Sequence, residues 1–130
     1  MSRVSTNVRI KRAYEPAAEE DGTRILVDRL WPRGVSKQEA RLDQWNRELA
    51  PSPELRRWFG HKISRWDEFS RRYRLELARH AQALGELRRR AQEGPVTLIY
   101  AAKDTHHNHA IVLKHALLTH GIRLKKPSHG

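Results

Sequence analysis

The run VTLIYAAKD, residues 96–104, decides the fold of this chain of 130 residues. Its first seven residues form an apolar segment directly after the turn pair Gly94-Pro95, which is the pattern of a strand covered on both faces. Residues 24–30 (RILVDRL) contain a second apolar run, and residues 8–14 (VRIKRAY) alternate apolar and charged side chains. We therefore predict three strands, and the strand within residues 8–14 has one solvated face.

Helical patterns separate these strands. Ser36 and Glu39 predict a capping box, and Leu42, Trp45 and Leu49 would continue one apolar face of that helix. Ser52 as N-cap and Pro53 at the first helical position predict a second helix, ended by Gly60. A third helical stretch, within residues 64–93, has a seam formed by Trp66, Phe69, Tyr73, Leu77, Leu84 and Leu87.

The last predicted helix follows the run 96–104, with Asp104 or Thr105 as its cap and Gly121 as its end. Strands separated by long helical stretches need crossover connections and parallel pairing. We predict a small single-domain α/β fold with a three- to four-stranded, mainly parallel sheet flanked by helices. Its core would span residues 8–120, with residues 121–130 as a flexible tail.

Composition excludes several classes of protein. The chain has no cysteine, so it has no disulfide, no thiolate nucleophile and no cysteine-ligated metal. No apolar run approaches the ~18 residues that a bilayer span requires, and residues 1–15 lack the apolar stretch of a signal peptide. We expect a cytoplasmic protein without a membrane partner.

The charge balance is strongly basic, with a formal net charge of +11. An excess of this size favours anionic partners such as nucleic acid, nucleotides or phosphorylated metabolites. The alternative is a solvated surface enriched in arginine by a GC-rich genome, because the arginines are spread through the predicted helices.

Polar side chains follow two of the predicted strands, at the edge where open parallel sheets bind ligands. Asp28, Asp104 and His109 are our candidate catalytic groups, as base, metal holder or orienting group. The first turn of the helix that follows residues 96–104 offers free N–H groups to an anion, and Arg33 and Lys103 would add full charges. The candidate ligand-binding residues are Arg29, Trp31, Arg33, Gly34, Lys103 and Asn108.

Each candidate also has a structural interpretation. Asp28 and Arg29 would form an ion pair in which Arg29 braces the carboxylate, and Asp104 would only cap the helix. Trp31 would either belong to the core or stack on a ring of the ligand. His106, His107 and His109 form an HHxH cluster, but without a third ligand at a diagnostic spacing we predict no metal site and favour His109 as a general acid or base.

Three motifs in order resemble the YeaO-like family, a bacterial and archaeal group within the domain-of-unknown-function class 488. They are VDRLWPRG at 27–34, ELAPSPELRRWFGH at 48–61, and YAAKD at 100–104 followed by NHA at 108–110. The resemblance extends from about Val8 to Leu118. It implies an α/β fold, and the polar positions that recur in the family match these residues of the present chain: Asp28, Arg29, Trp31, Arg33, Gly34, Lys103, Asp104 and Asn108.

The broader class carries a pattern similar to CAEKD…CHR in the last segment. Here Tyr100 or Ala101 takes the first cysteine position, and Asn108, followed by His109, takes the second. Thiol chemistry therefore does not carry over, and the family implies neither an established activity nor a cofactor.

Three functions remain open. The first is an enzyme or binding protein for an anionic small molecule, phosphate- or nucleotide-like, held at the strand ends. The second is a nucleic-acid-binding module without catalysis, whose salt dependence would be steep. It would use the arginines of the 64–93 region: Arg65, Arg71, Arg72, Arg74, Arg79, Arg88, Arg89 and Arg90. The third is a protein partner that docks on the acidic loop 15–21 or on the helical surface. The sequence alone determines neither the cofactor nor the oligomeric state.

Overall fold

The computed structural model describes residues 7–125, with side chains up to residue 118. It contains a four-stranded sheet in the order β1-β4-β2-β3, and all three strand pairs are parallel. Leu98 of the central strand lies opposite Ile10 on one side and Ile25 on the other. The predicted α/β fold is confirmed. The strands are β1 (Val8–Arg12), β2 (Thr23–Leu26), β3 (Gln44–Trp45) and β4 (Val96–Tyr100).

The helices that the caps predict are present. Ser52 Oγ accepts a hydrogen bond from Leu55 N at 3.2 Å, and Gly60 ends the same helix in the left-handed conformation at φ 54°. The helices are α1 (Lys37–Ala40), α2 (Pro53–Phe59), α3 (Trp66–Leu77), α4 (Ala81–Glu93) and α5 (His109–Lys125). Between α3 and α4 the predicted seam passes through a short 3-10 turn, Ala78–His80.

The helix predicted from Ser36 onward is wrong beyond its first turn. Its capping box forms, with Glu39 N donating to Ser36 Oγ at 3.0 Å, but α1 ends at Arg41 in a left-handed conformation. Gln44 and Trp45 then pair with β2 as an edge strand. The spacing of Leu42 and Trp45 is therefore not helical, because both side chains pack against the sheet from an extended segment.

The prediction that the last helix ends at Gly121 is also wrong, because the backbone of α5 continues to Lys125. Residues 126–130 of the predicted tail lie outside the described residues. Within residues 7–125, no helix combines the length and apolar character needed to cross a bilayer.

The two faces of the sheet are covered unequally. One face packs against α2, α3, α4 and α5 and forms the main core, which includes Ile25, Leu98 and Leu113. The other face carries a small cluster in which Leu26 and Ile99 meet Trp31, Leu42 and Trp45. The segment after β4 thus crosses to the main core, whereas the segment after β2 crosses to the small cluster.

This divergence creates an opening between the carboxyl ends of β2 and β4. In open α/β sheets, such a topological switch point is where ligands bind. Residues 27–34 follow β2 and residues 101–109 follow β4, so both segments border this opening.

Candidate functional site

A cavity of about 790 Å³ opens at this switch point. Its size falls within the range of roughly 300–1,000 Å³ that is usual for small-molecule sites. The strand ends supply one part of its wall, and α2 with its flanking residues and Phe69 of α3 supply much of the rest. Eight of the nine candidate residues line it: Asp28, Arg29, Trp31, Arg33, Lys103, Asp104, Asn108 and His109.

Asp28 ties the two strand ends together. Its Oδ2 accepts a hydrogen bond from Ala101 N at 3.0 Å, directly after β4. Its Oδ1 is buried and lies 2.8 Å from His109 Nε2, off the N–H direction, because that N–H donates to the Val27 carbonyl oxygen at 3.0 Å. Since a carbonyl oxygen can only accept, His109 Nε2 carries a hydrogen and is not free to act as a base.

The Arg29 side chain does not brace Asp28 as predicted. Its Nε and Nη2 both point to backbone carbonyl oxygens, those of Pro51 and Ala50, each at 3.3 Å. Arg29 thereby fastens the loop after β2 to the segment that enters α2. Because it has no bond to Asp28, the predicted Asp28–Arg29 ion pair is wrong.

Asp104 organises the loop before α5 without capping the helix. Its Oδ1 accepts from His106 N at 2.8 Å and from His107 N at 3.0 Å, and its Oδ2 lies 3.0 Å from His107 Nδ1. The hydrogen bond from the His106 amide lowers the pKa of Asp104; burial opposes this, and the two hydrogen bonds from His107 lower the pKa further. Asp104 is therefore an ionised loop anchor.

The cap of α5 is Asn108, so the prediction of Asp104 or Thr105 is wrong. Asn108 Oδ1 accepts from Ile111 N at 3.2 Å, and its Nδ2 donates to the Asp104 carbonyl oxygen at 3.0 Å. Burial raises the pKa of Tyr100, and the Asn108 side chain opposes that rise. Both ends of the buried Asn108 amide are thus committed to the chain itself.

Trp31 and Gly34 have mainly structural roles in the described fold. Trp31 Nε1 donates to the Val35 carbonyl oxygen at 2.6 Å, and its ring meets Trp45 edge-on with centroids 5.4 Å apart. The indole still lines the cavity with part of its surface. Gly34 does not line it; its φ of 81° shows that this position serves the turn of the loop.

The three histidines of the HHxH cluster have different neighbours. His106 lies beside Thr105, His107 beside Asp104, and His109 beside Asp28 and Val27. Among the described residues, no three histidine or acidic groups are placed to hold a metal ion.

Cationic side chains surround the cavity mouth. Arg33 and Lys103 were expected there, but Arg56 and Arg57 of α2 were not. All four are exposed, and none of them forms an ion pair or donates a side-chain hydrogen bond within residues 7–118. The signal that marks the α2 pair is its place in the ELAPSPELRRWFGH motif, which sequence reasoning used for the resemblance only.

The cavity also has an apolar part that sequence reasoning missed. Phe59 and Phe69 stack on each other with ring centroids 4.4 Å apart, and Pro51 and Pro53 lie beside them. Leu30, at the mouth, is 63% exposed. The site thus combines apolar surface with a few charged groups, as small-molecule sites commonly do.

Four of the eight arginines of the nucleic-acid hypothesis bind groups of the chain itself. Arg71 and Arg72 pair with Glu68, at 2.7 and 2.8 Å. Arg65 donates to the Trp58 carbonyl oxygen, and Arg88 donates to that of Leu117 at 3.0 Å. Of the remaining four, Arg89 and Arg90 lie in a shallow depression with Glu86 and Glu93.

Comparison with known proteins agrees with the resemblance. A family model described as the inactive DUF488-N3 subclade matches residues 7–129. The uncharacterised protein YeaO of Escherichia coli K12 is 48% identical over 107 residues, which cover 82% of this chain and 93% of that protein. The uncharacterised protein Rv3073c of Mycobacterium tuberculosis H37Rv is 44% identical over 112 residues, or 86% of this chain and 94% of the relative. No solved structure matches the chain significantly.

Proposed function

The chain belongs to the YeaO-like family of DUF488 proteins, and we propose that it binds an anionic, phosphate- or nucleotide-like small molecule in the cavity between β2 and β4. The observation that carries the proposal is the set of four exposed cations around this cavity: Arg33, Arg56, Arg57 and Lys103.

The arrangement favours a phosphate-like group for a physical reason. An arginine fork donates two parallel hydrogen bonds to a phosphate or carboxylate, and a cavity with low-dielectric walls strengthens each of them. Asp28 and Asp104 also line the cavity, but both are engaged by backbone N–H groups, which reduces their repulsion of an anion. The net charge of +11 would raise the local concentration of anions.

Binding is favoured over turnover. The three candidate catalytic groups are held by the fold itself: Asp28 by Ala101 N, Asp104 by His106 N, and His109 by the Val27 carbonyl oxygen. The matched family model is described as inactive, which supports the same reading. We further propose a cytoplasmic location, where phosphorylated small molecules are abundant.

Titration calorimetry with sodium pyrophosphate at low ionic strength tests the proposal. We expect saturable binding with a stoichiometry of one, weakened about tenfold or more by Arg56→Gln or Lys103→Gln, because a charge-assisted hydrogen bond contributes roughly 1.5–3 kcal/mol. Arg74→Gln is the matched control, since Arg74 is exposed on α3 away from the cavity. If Arg74→Gln lowered the affinity for pyrophosphate equally, binding would depend on the overall charge of the protein and not on the cavity.

The rival function, nucleic-acid binding through the α3 and α4 arginines, predicts a different result. A labelled single-stranded oligonucleotide would bind with a steep salt slope, roughly −0.7 per phosphate contacted. Arg74→Gln and Arg79→Gln would then weaken binding, whereas Lys103→Gln would not. Displacement of the oligonucleotide by a mononucleotide would instead favour the cavity.

A further inference from the structure

We propose that the ligand carries a planar ring as well as a phosphate, joined through a short linker such as the ribose of a nucleoside monophosphate, and that Leu30 and Tyr14 hold this ring at the cavity mouth. This inference rests on the proposed anion site and names the class of ligand for it. It follows from apolar side chains that the fold leaves exposed beside the cations.

Large apolar side chains are rarely exposed in the described residues. Only Tyr14, Leu30, Ile63 and Leu75 are, at 46%, 63%, 61% and 58%. Two of these four line the same cavity. Exposed apolar surface gathered at a pocket is a candidate contact surface, since removing it from water is favourable.

The outward position of Leu30 is fixed by its neighbours. Arg29 is fastened to the carbonyl oxygens of Ala50 and Pro51, and Trp31 is fastened to that of Val35. With both neighbours held by these bonds, the course of the loop is fixed, and it places the Leu30 side chain at the surface. Its exposure is therefore a property of the folded loop.

Tyr14 belongs to the same rim. Its hydroxyl donates to the Arg33 carbonyl oxygen at 3.0 Å, and the Arg12 guanidinium lies 4.9 Å from the centre of its ring. The aromatic ring is thus held at the backbone of Arg33, whose side chain is one of the four cations around the cavity. A ligand that reaches Arg33 with its phosphate would bring an attached ring within reach of Tyr14 and Leu30.

The interior of the cavity agrees with a ligand larger than a bare anion. Its volume of about 790 Å³ far exceeds that of inorganic phosphate. Phe59 and Phe69 line the cavity but are almost fully buried, so its exposed large apolar side chains are Leu30 and Tyr14. A bare phosphate would leave these two side chains in contact with water, and a ring would cover part of them.

Calorimetry with four probes tests the inference: adenosine monophosphate, ribose 5-phosphate, inorganic phosphate and adenosine. We expect adenosine monophosphate to bind about tenfold more tightly than ribose 5-phosphate, because the base adds packing contacts that ribose 5-phosphate lacks. Leu30→Ser should weaken adenosine monophosphate about fivefold while leaving ribose 5-phosphate unchanged. Leu75→Ser, with a similarly exposed leucine outside the cavity, should change neither.

The outcomes separate the two proposals. If ribose 5-phosphate and inorganic phosphate bind as tightly as adenosine monophosphate, and Arg56→Gln weakens all three, the anion site stands and the ring inference is overturned. If none of the phosphate compounds binds, the proposed function itself fails. Circular dichroism of Leu30→Ser shows whether the variant is folded; should it be unfolded, the comparison of the four probes on the wild-type chain decides.

Discussion

At the scale of one residue, Asp28 belongs to the candidate site and also stabilises the fold. Its Oδ2 accepts the Ala101 N–H across the gap between β2 and β4. We expect Asp28→Ala to lower the free energy of unfolding by about 1–3 kcal/mol, because it leaves that N–H without a partner. Arg33→Ala and Lys103→Ala should stay within about 0.5 kcal/mol of the wild type, since both side chains are exposed. Urea denaturation measures all three, and equal stabilities would contradict the bridging role.

Gly22 is required by the backbone in two ways. Its φ is 64°, and a Cβ atom at this position would lie 2.3 Å from the Pro95 carbonyl oxygen. We expect Gly22→Ala to destabilise the protein by about 2–4 kcal/mol, from left-handed strain and displacement of the backbone before β4.

A matched substitution controls for the general effect of removing a glycine. Gly85 lies within α4 and has open space where a Cβ would be added. Gly85→Ala should stabilise the protein by about 0.5–1 kcal/mol. Thermal denaturation of the two variants should therefore give shifts of opposite sign, and a stabilised Gly22→Ala variant would refute the close contact.

At the scale of elements, a buried charge cluster joins three strands at the end of the sheet away from the site. Asp21 Oδ2 lies 3.0 Å from Lys11 Nζ in β1 and 2.6 Å from Arg24 Nη1 in β2, and Thr97 Oγ1 of β4 donates to the Asp21 carbonyl oxygen at 2.8 Å. Breaking a buried pair leaves an uncompensated charge. Asp21→Ala should therefore cost about 3–5 kcal/mol, against less than about 1 kcal/mol for Glu68→Ala, whose arginine partners are exposed.

The same cluster sets a dependence on pH. Burial tends to raise the pKa of Asp21, but the Ala18 N–H, Lys11 and Arg24 together hold it below its ordinary value. The stabilisation is therefore fully present above the pKa of the unfolded chain, about 3.9, and is lost as the pH falls through the lower folded value. Denaturation between pH 2 and 7 should show the gap between wild type and Asp21→Ala closing below about pH 4; a constant gap would contradict the ionised cluster.

Elements with local signals were predictable, and those that depend on distant contacts were not. The caps at Ser52 and Gly60 fix α2 through hydrogen bonds within a few residues. In contrast, Leu42 and Trp45 have helical spacing in the sequence, yet they meet Leu26 and Ile99 from an extended segment. Asn108 was predicted as a ligand-binding residue and not as a helix cap, because Asp104 offered the same cap chemistry four residues earlier.

At the scale of the whole molecule, the sequence predicted one half of the candidate site and did not predict the other half. The strand ends converge in any parallel sheet, so residues 27–34 and 101–109 could be placed together from sequence. The position of α2 depends on how the long crossover between β3 and β4 packs. The sequence therefore did not predict that the cavity is also lined by Arg56, Arg57 and Phe59.

Occupation of the cavity should stabilise the entire fold. A ligand that binds only the native state adds about 2.7 kcal/mol at one hundred times its dissociation constant. We expect adenosine monophosphate to raise the melting temperature by several degrees relative to sodium chloride of equal ionic strength. The rise should shrink in Arg56→Gln and persist in Arg74→Gln; an equal rise in both would indicate a general salt effect.

The unequal covering of the two sheet faces has a dynamic consequence. The segment from residue 28 to residue 45 is secured by the small cluster and a two-residue edge strand, whereas α3, α4 and α5 share the main core. Cooperative units with less buried apolar surface open at lower free energy, and amide hydrogen exchange reports this opening residue by residue. The amides of residues 28–45 should exchange well before those of β4, so the Leu30 wall of the cavity would open and reclose while the wall beneath α5 stays protected.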